Sequence, residues 1–227
     1  MIHDQEEIEE TTIYGIKIFQ YKNRWRFSHD SLMLSKFCTE VEGTHFKNEP
    51  KKFILDVGTG CGIIPVLLRN FLQTDSIYYG IEIDKEVAKL AEMNFRLNKI
   101  KAYSIAGDIR FAPFKFQFDI IVSNPPYVPV GEGKISTKYD KAKWEITFDL
   151  RSFARVSSKI LKKGGRIYVV YNPSRLGEIL SVFYKSGLMP SFIRFFHHSS
   201  ERSCAFFLLC AQKESRRKLE VLPPMWS

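Results

Sequence analysis

FILDVGTGCGII, residues 53–64, sets three alternating glycines and an aspartate at the end of an apolar run. Phe53, Ile54, Leu55 and Val57 predict a short buried strand over residues 53–57. Residues 62–72 read as a helix, with Pro65 in the first turn, where proline is tolerated. Between them Gly58, Gly60 and Gly62 permit a tight turn and let a ligand approach the backbone closely. The helix behind the turn directs its positive end toward that ligand. Glu82 follows Gly60 by 22 residues and ends the next predicted strand. A carboxylate at that point accepts hydrogen bonds from ribose hydroxyls.

The rhythm continues outward from this loop. Strands are expected over 77–83, 101–105, 118–123 and 166–171, and at the end over 192–197 and 204–211. Helices are expected from Asp84, a capping residue, to about 98, then over 145–161 and 174–186. Val87, Leu90, Ala91, Asn94 and Phe95 form one stripe of the helix after Asp84. Alternating strands and helices with apolar strands predict an α/β, doubly wound, mostly parallel sheet. The two final strands predict a C-terminal antiparallel hairpin. Residues 1–50 depart from this rhythm. They read as a small N-terminal extension packed on a core domain of residues 51–227. Its expected parts are a hairpin of residues 13–20 with 24–27 and a helix over 28–37.

The loop reads Gly-x-Gly-x-Gly led by Asp56, whereas nicotinamide dinucleotide folds favour Gly-x-Gly-x-x-Gly. In this it resembles the class I S-adenosylmethionine (SAM) methyltransferases. The resemblance implies a Rossmann-like sheet of seven strands with SAM as cofactor. It implies that Asp56, Gly58 and Gly60 surround the methionine part and that Glu82, followed by Ile83, takes the ribose. Asp108 would then meet the adenine amino group and Ile109 the adenine face.

Asn124-Pro125-Pro126-Tyr127 closes the strand over 118–123. Both prolines lack a backbone donor and have a fixed φ, and Asn124 is pushed out of the helical region by the proline that follows. The tetrapeptide resembles the motif of amino methyltransferases acting on adenine N6, guanine N2 or a glutamine amide. There Asn124 and the Pro125 carbonyl each accept one N–H of a planar amine. Pro126 stiffens the turn, and Tyr127 offers a face for stacking. An amine nucleophile needs no strong general base. Carbonyl acceptors stabilise the positive charge that develops on it.

The segment Ser28-His-Asp-Ser-Leu-Met-Leu-Ser-Lys-Phe37 resembles the helix that precedes the SAM fold in the tRNA1(Val) adenine-N6 methyltransferase family. Residues 173–180 and the tail over 219–225 resemble that family too. The resemblance runs from about residue 13 to the end. It implies adenosine 37 of a valine tRNA as target, with Asp30 near the cofactor. The main rival is a release-factor glutamine methyltransferase, which carries a larger N-terminal helical domain. An rRNA adenine-N6 or guanine-N2 enzyme, and a SAM- or RNA-binding protein without activity, are further alternatives.

Charge agrees with a polyanionic partner. The 227 residues carry +9, and the first ten hold five acids and no Lys or Arg, so the remainder carries +14. Candidate RNA contacts are Arg24 and Arg26 beside Trp25, then Lys134, Lys138, Lys141 and Lys143 around the catalytic loop, and Arg216 and Arg217 near the end. No metal site is expected: the cysteines at 38, 61, 204 and 210 are scattered, and His197-His198 lacks accompanying acids. The absence of a basic leader or a bilayer-length apolar run points to a cytoplasmic protein with no membrane partner, expected to act as a monomer.

Overall fold

The computed structural model describes residues 7–23, 26–46, 51–111, 114–125 and 149–226. The chain divides into two compact units, Met1–Gly107 and Asp108–Ser227.

The first unit opens with an antiparallel hairpin of β1 (Ile8–Ile13) and β2 (Ile16–Tyr21). Its turn is Tyr14-Gly15, at φ 50° and 73°. The hairpin expected from residues 13–20 with 24–27 is therefore displaced. The acidic segment supplies the first strand, because cations are available to pair its carboxylates. Glu10 meets Lys17 at 2.9 Å, Glu7 meets Lys22 at 2.7 Å, and Glu9 pairs with Arg26. Helix α1 (His29–Phe46) runs past the expected end at 37, and Cys38 and Glu42 on the added turns are buried. Strands β3 (Phe53–Val57), β4 (Ile77–Glu82) and β5 (Ala102–Ala106) are parallel, with β4 in the middle. Helix α2 (Ile63–Leu72) follows β3, and α3 (Lys85–Leu97) follows β4.

The second unit pairs β6 (Phe118–Ser123) in parallel with β7 (Leu161–Tyr171). Strand β9 (Phe206–Lys213) lies antiparallel between β7 and β8 (Leu188–His197), which is the expected terminal hairpin. Helix α4 (Leu150–Ile160) is capped by the Asp149 carboxylate, which accepts from Arg151 N at 3.1 Å and Ser152 N at 3.0 Å. It ends at Ile160, within one residue of the expected end at 161, and β7 begins at Leu161. Gly165 is needed inside that strand: a Cβ there would stand 2.9 Å from the Lys162 carbonyl oxygen and 3.0 Å from that of Asp119. Helix α5 (Leu176–Lys185) follows a 3-10 turn, Pro173–Arg175. The tail adds β10 (Glu220–Val221) and β11 (Met225–Trp226), both parallel to β8. Among the described residues, β3 to β9 number seven strands, as the glycine-loop resemblance implies. No helix among them is long and apolar enough to cross a membrane.

Candidate active site

In the first unit, Asp56 near the end of β3 is fully buried, as is most of the strand around it. Thr59 donates its hydroxyl to Asp56 Oδ2 at 2.8 Å, while the buried Oδ1 has no hydrogen-bond partner. The loop is stitched to the end of β4. Gly58 N and Thr59 N donate to the Ile81 carbonyl at 2.9 and 3.1 Å, and Gly60 N donates to Glu82 Oε2 at 3.1 Å. The other oxygen, Glu82 Oε1, accepts from Asp84 N at 3.2 Å. Asp84 caps α3 through Glu86 N and Val87 N.

Gly62 is required twice over. Its φ is +83°, and a Cβ would lie 2.5 Å from Cε1 of Phe95 on α3. Gly80 on β4 makes room for Thr59, whose side chain would stand 2.7 Å from a Cβ there. By contrast, a Cβ on Gly58 or Gly60 meets nothing within 4 Å. The inner wall of the loop is thus packed, and its outer wall opens onto free space.

Burial pushes the Asp56 carboxyl up to about 7, against the hydrogen bond from Thr59, and the Glu82 charge adds to the rise. Glu82 is raised too, by burial first, with the backbone N–H groups of Asp84, Gly60 and Ile83 opposing. The Cys61 thiol, buried in the same loop, is pushed up to about 12 and is no nucleophile.

Sequence reasoning placed Asn94 on an apolar stripe and missed its role. Its side chain is fully buried and hydrogen-bonded in three directions. Oδ1 accepts from Phe19 N, while Nδ2 donates to the Phe19 and Cys61 carbonyls, each at 2.8 Å. The signal was available: an amide among Leu90, Ala91 and Phe95 must find buried partners. Ile83 is half-buried after Glu82, and Asp30 is half-buried in the first turn of α1, which packs on α2.

In the second unit, Asp108 accepts from the guanidinium of Arg110, including Nε at 2.9 Å, and from Arg110 N at 2.8 Å. Burial pushes this carboxyl up, but the hydrogen bonds from Arg110 prevail and hold it below the ordinary range. An adenine amino group at Asp108 would share the carboxylate with that guanidinium. Ile109 is buried. Strand β6 ends with Ser123 fully buried, Asn124 half-buried and Pro125 buried.

Pro126, Tyr127, Lys134, Lys138, Lys141, Lys143 and Arg24 lie outside the described residues. Arg26 is exposed but ion-paired with Glu9. Arg216 is exposed, and the Arg217 guanidinium lies 4.6 Å from the Phe192 ring centroid. Among the described residues, no group of His, Cys, Asp and Glu side chains could hold a metal ion.

The first-unit loop fits SAM chemically. An unpartnered buried carboxylate oxygen, a second buried acid with vacant lone pairs, and two glycines facing open space suit an amine, ribose hydroxyls and a close backbone approach respectively.

Comparison with known proteins agrees. Structures of the same fold include the 16S rRNA N2 methyltransferase of Thermus thermophilus in complex with AdoMet and guanosine. It superimposes with a TM-score of 0.63 at 20% identity, over 91% of this chain and 50% of that one. TYW2 of Methanocaldococcus jannaschii in complex with AdoMet gives 0.61 at 16% identity, over 93% and 88%. Fold and loop together define a class I SAM-dependent methyltransferase. Residues 27–183 match the methyltransferase small domain, and the chain belongs to that family. Among its relatives, the tRNA1(Val) (adenine(37)-N6)-methyltransferase of Parabacteroides distasonis is 30% identical over 76% of this chain and 74% of its own length. The release factor glutamine methyltransferase of Buchnera aphidicola is 30% identical over 62% of this chain, which spans only about half, 53%, of that relative.

Proposed function

We propose that the protein methylates the exocyclic N6 amine of an adenine in RNA, with adenosine 37 of a valine tRNA as the target. The observation that carries this reading is the relative from Parabacteroides distasonis, similar over about three quarters of both chains. The net charge of +9 supports it. SAM supplies a methyl group on a positively charged sulfur. Asp56 and the Gly58–Gly60 backbone would hold its amino-acid end, and Glu82 its ribose. Asn124 Oδ1 accepts one N–H of the adenine amine and the Pro125 carbonyl accepts the other. This orients the nitrogen lone pair and stabilises the charge that grows on it. The rigid Pro125-Pro126 backbone prevents these acceptors from swinging away. The target base is unpaired, because A-form helices hide base edges and the base must enter the pocket.

A second reading, transfer to a protein glutamine amide, is favoured by the likeness to the Buchnera aphidicola enzyme. The same two acceptors would hold that amide. To separate the two, labelled SAM is offered with total tRNA, ribosomal RNA and release factor in parallel. Label recovered from tRNA as N6-methyladenosine is expected. Label recovered only from protein, as methylglutamine, would overturn the RNA reading.

A further inference from the structure

In the first unit, the sheet carries exposed aromatic surface at its β5 edge. Helix α3 packs on the opposite face: Ser104 on β5 donates its hydroxyl to the Ala88 carbonyl at 2.7 Å and its N–H to Glu92 Oε2 at 3.2 Å. Side chains alternate along a strand, so Tyr103, next to Ser104, points away from α3. The parallel register sets Leu55 beside Tyr79 and Tyr79 beside Tyr103. Phe53, Tyr79 and Tyr103 form a ladder across three strands, with ring centroids 6.3 Å apart for the first pair and 5.4 Å for the second. The Tyr79 and Tyr103 planes differ by 30°, and Tyr103 is 49% exposed.

Two cations edge the ladder. Lys51 precedes Phe53 by two residues and Lys101 precedes Tyr103 by two; Ile77 N donates to the Lys52 carbonyl at 2.9 Å and Tyr78 N to the Lys101 carbonyl at 3.0 Å, so the two cations flank the start of β4. Both are exposed, and they stand close enough for Lys101 to depress the Lys51 ammonium, with Asp75 acting weakly the other way. Burial and the neighbouring Tyr103 push the Tyr79 hydroxyl up, and Lys101 acts the other way. Adjacent like charges repel, and a bound anion between them relieves that repulsion. An exposed ring flanked by cations is the arrangement that holds a base by its face and the neighbouring phosphate by charge.

We propose that this face is a second RNA-binding site, where Tyr103, backed by Tyr79, stacks an unpaired base while Lys51 and Lys101 hold the adjacent phosphate. The proposal rests on RNA being the substrate. Glu82 lies three residues beyond Tyr79 along β4, roughly 10 Å of strand, so this site anchors the RNA away from the cofactor loop.

The test uses the full chain with Tyr103→Ala, Tyr103→Phe and the double variant Lys51→Ala/Lys101→Ala. Anisotropy of a labelled unstructured RNA oligonucleotide reads binding, and SAM affinity reads the integrity of the fold. Tyr103→Ala and the double variant should each weaken the oligonucleotide at least about fivefold, and Tyr103→Phe should bind as wild type. The double variant should also flatten the slope of log affinity against log salt by about 0.7, the value for one lost phosphate contact. With tRNA and labelled SAM, KM should rise while kcat stays unchanged. If tRNA is methylated but oligonucleotide affinity and tRNA KM are wild type in all variants, this site is overturned and the proposed function stands. If wild type binds no oligonucleotide and labels only release-factor glutamine, both fall together.

Discussion

Asn94 Nδ2 donates to the Cys61 carbonyl at 2.8 Å, across 33 residues of sequence. The same amide holds Phe19 through both its N–H and its carbonyl. One buried side chain therefore ties the N-terminal hairpin, α3 and the glycine loop together.

Asn94→Ala strands one buried and two partly buried backbone groups, and a stranded buried group costs about 1–3 kcal/mol. Loss of stability within or above that range is expected in urea titration, together with weaker SAM binding in calorimetry. Asn98→Ala is the control. Asn98 donates to the Lys17 carbonyl at 2.8 Å and to the Asn94 carbonyl, with no bond to the loop. It should lower stability while leaving SAM affinity unchanged. Equal SAM affinity in both variants would show that the Cys61 contact does not position the loop.

Asp56 predicts how pH acts. Its folded value of about 7 stands above the ordinary carboxylate value of about 3.9. Between these values the native state holds a proton that the unfolded chain has lost, so the Asp56 contribution to stability is full below about pH 4 and is lost as pH rises through about 7. Glu82 is shifted the same way and adds to the decline. SAM is cationic and favours the ionised carboxylates. Its affinity should therefore climb as pH rises to about 7 and level off above, with up to about a tenfold change per unit below. Asp56→Asn should flatten much of that climb. Calorimetry across this range checks it, and a profile identical in wild type and Asp56→Asn would remove Asp56 from the site.

How much of this was legible in the sequence depended on how local the cause was. The turn of Gly58, Gly60 and Gly62 is dictated by backbone sterics within a few residues, and it lies where the sequence placed it. The α3 cap at Asp84 is equally local, and its bonds to Glu86 N and Val87 N match the expectation. The hairpin was misplaced because its pairing rests on ion pairs between β1 and residues up to 17 positions later, as with Glu9 and Arg26. The two-residue strands β10 and β11 depend on the free edge of β8, and carry no periodicity of their own. Asn94 was visible as a polar residue on an apolar stripe, but its partners at Phe19 and Cys61 are set by tertiary packing.

Asn124 should separate binding from chemistry. It stands at the end of β6, directly after the fully buried Ser123. On the proposed reading its amide oxygen meets the acceptor amine, so Asn124→Ala should cut kcat roughly a hundredfold or more, as for a lost transition-state hydrogen bond. SAM affinity should stay nearly unchanged. Single-turnover methyl transfer at close to the wild-type rate would reduce Asn124-Pro125 to a rigid turn.

Arg26 and its neighbour Lys22 should contribute little to RNA binding, although the sequence offers Arg26 as a contact. Arg26 is already paired with Glu9, and Lys22 with Glu7 at 2.7 Å. An RNA phosphate must displace a carboxylate to reach either one. Arg26→Ala should therefore change RNA affinity by less than about twofold, and stability by no more than about 1 kcal/mol, the usual worth of an exposed ion pair. Glu7→Gln/Glu9→Gln should act in the opposite direction. It frees two cations, so RNA should bind more tightly at low salt, with a steeper salt dependence. Anisotropy titrations with tRNA at several salt concentrations measure both. A large loss with Arg26→Ala, or no gain with the double glutamine variant, would show that the acidic strand does not mask these cations.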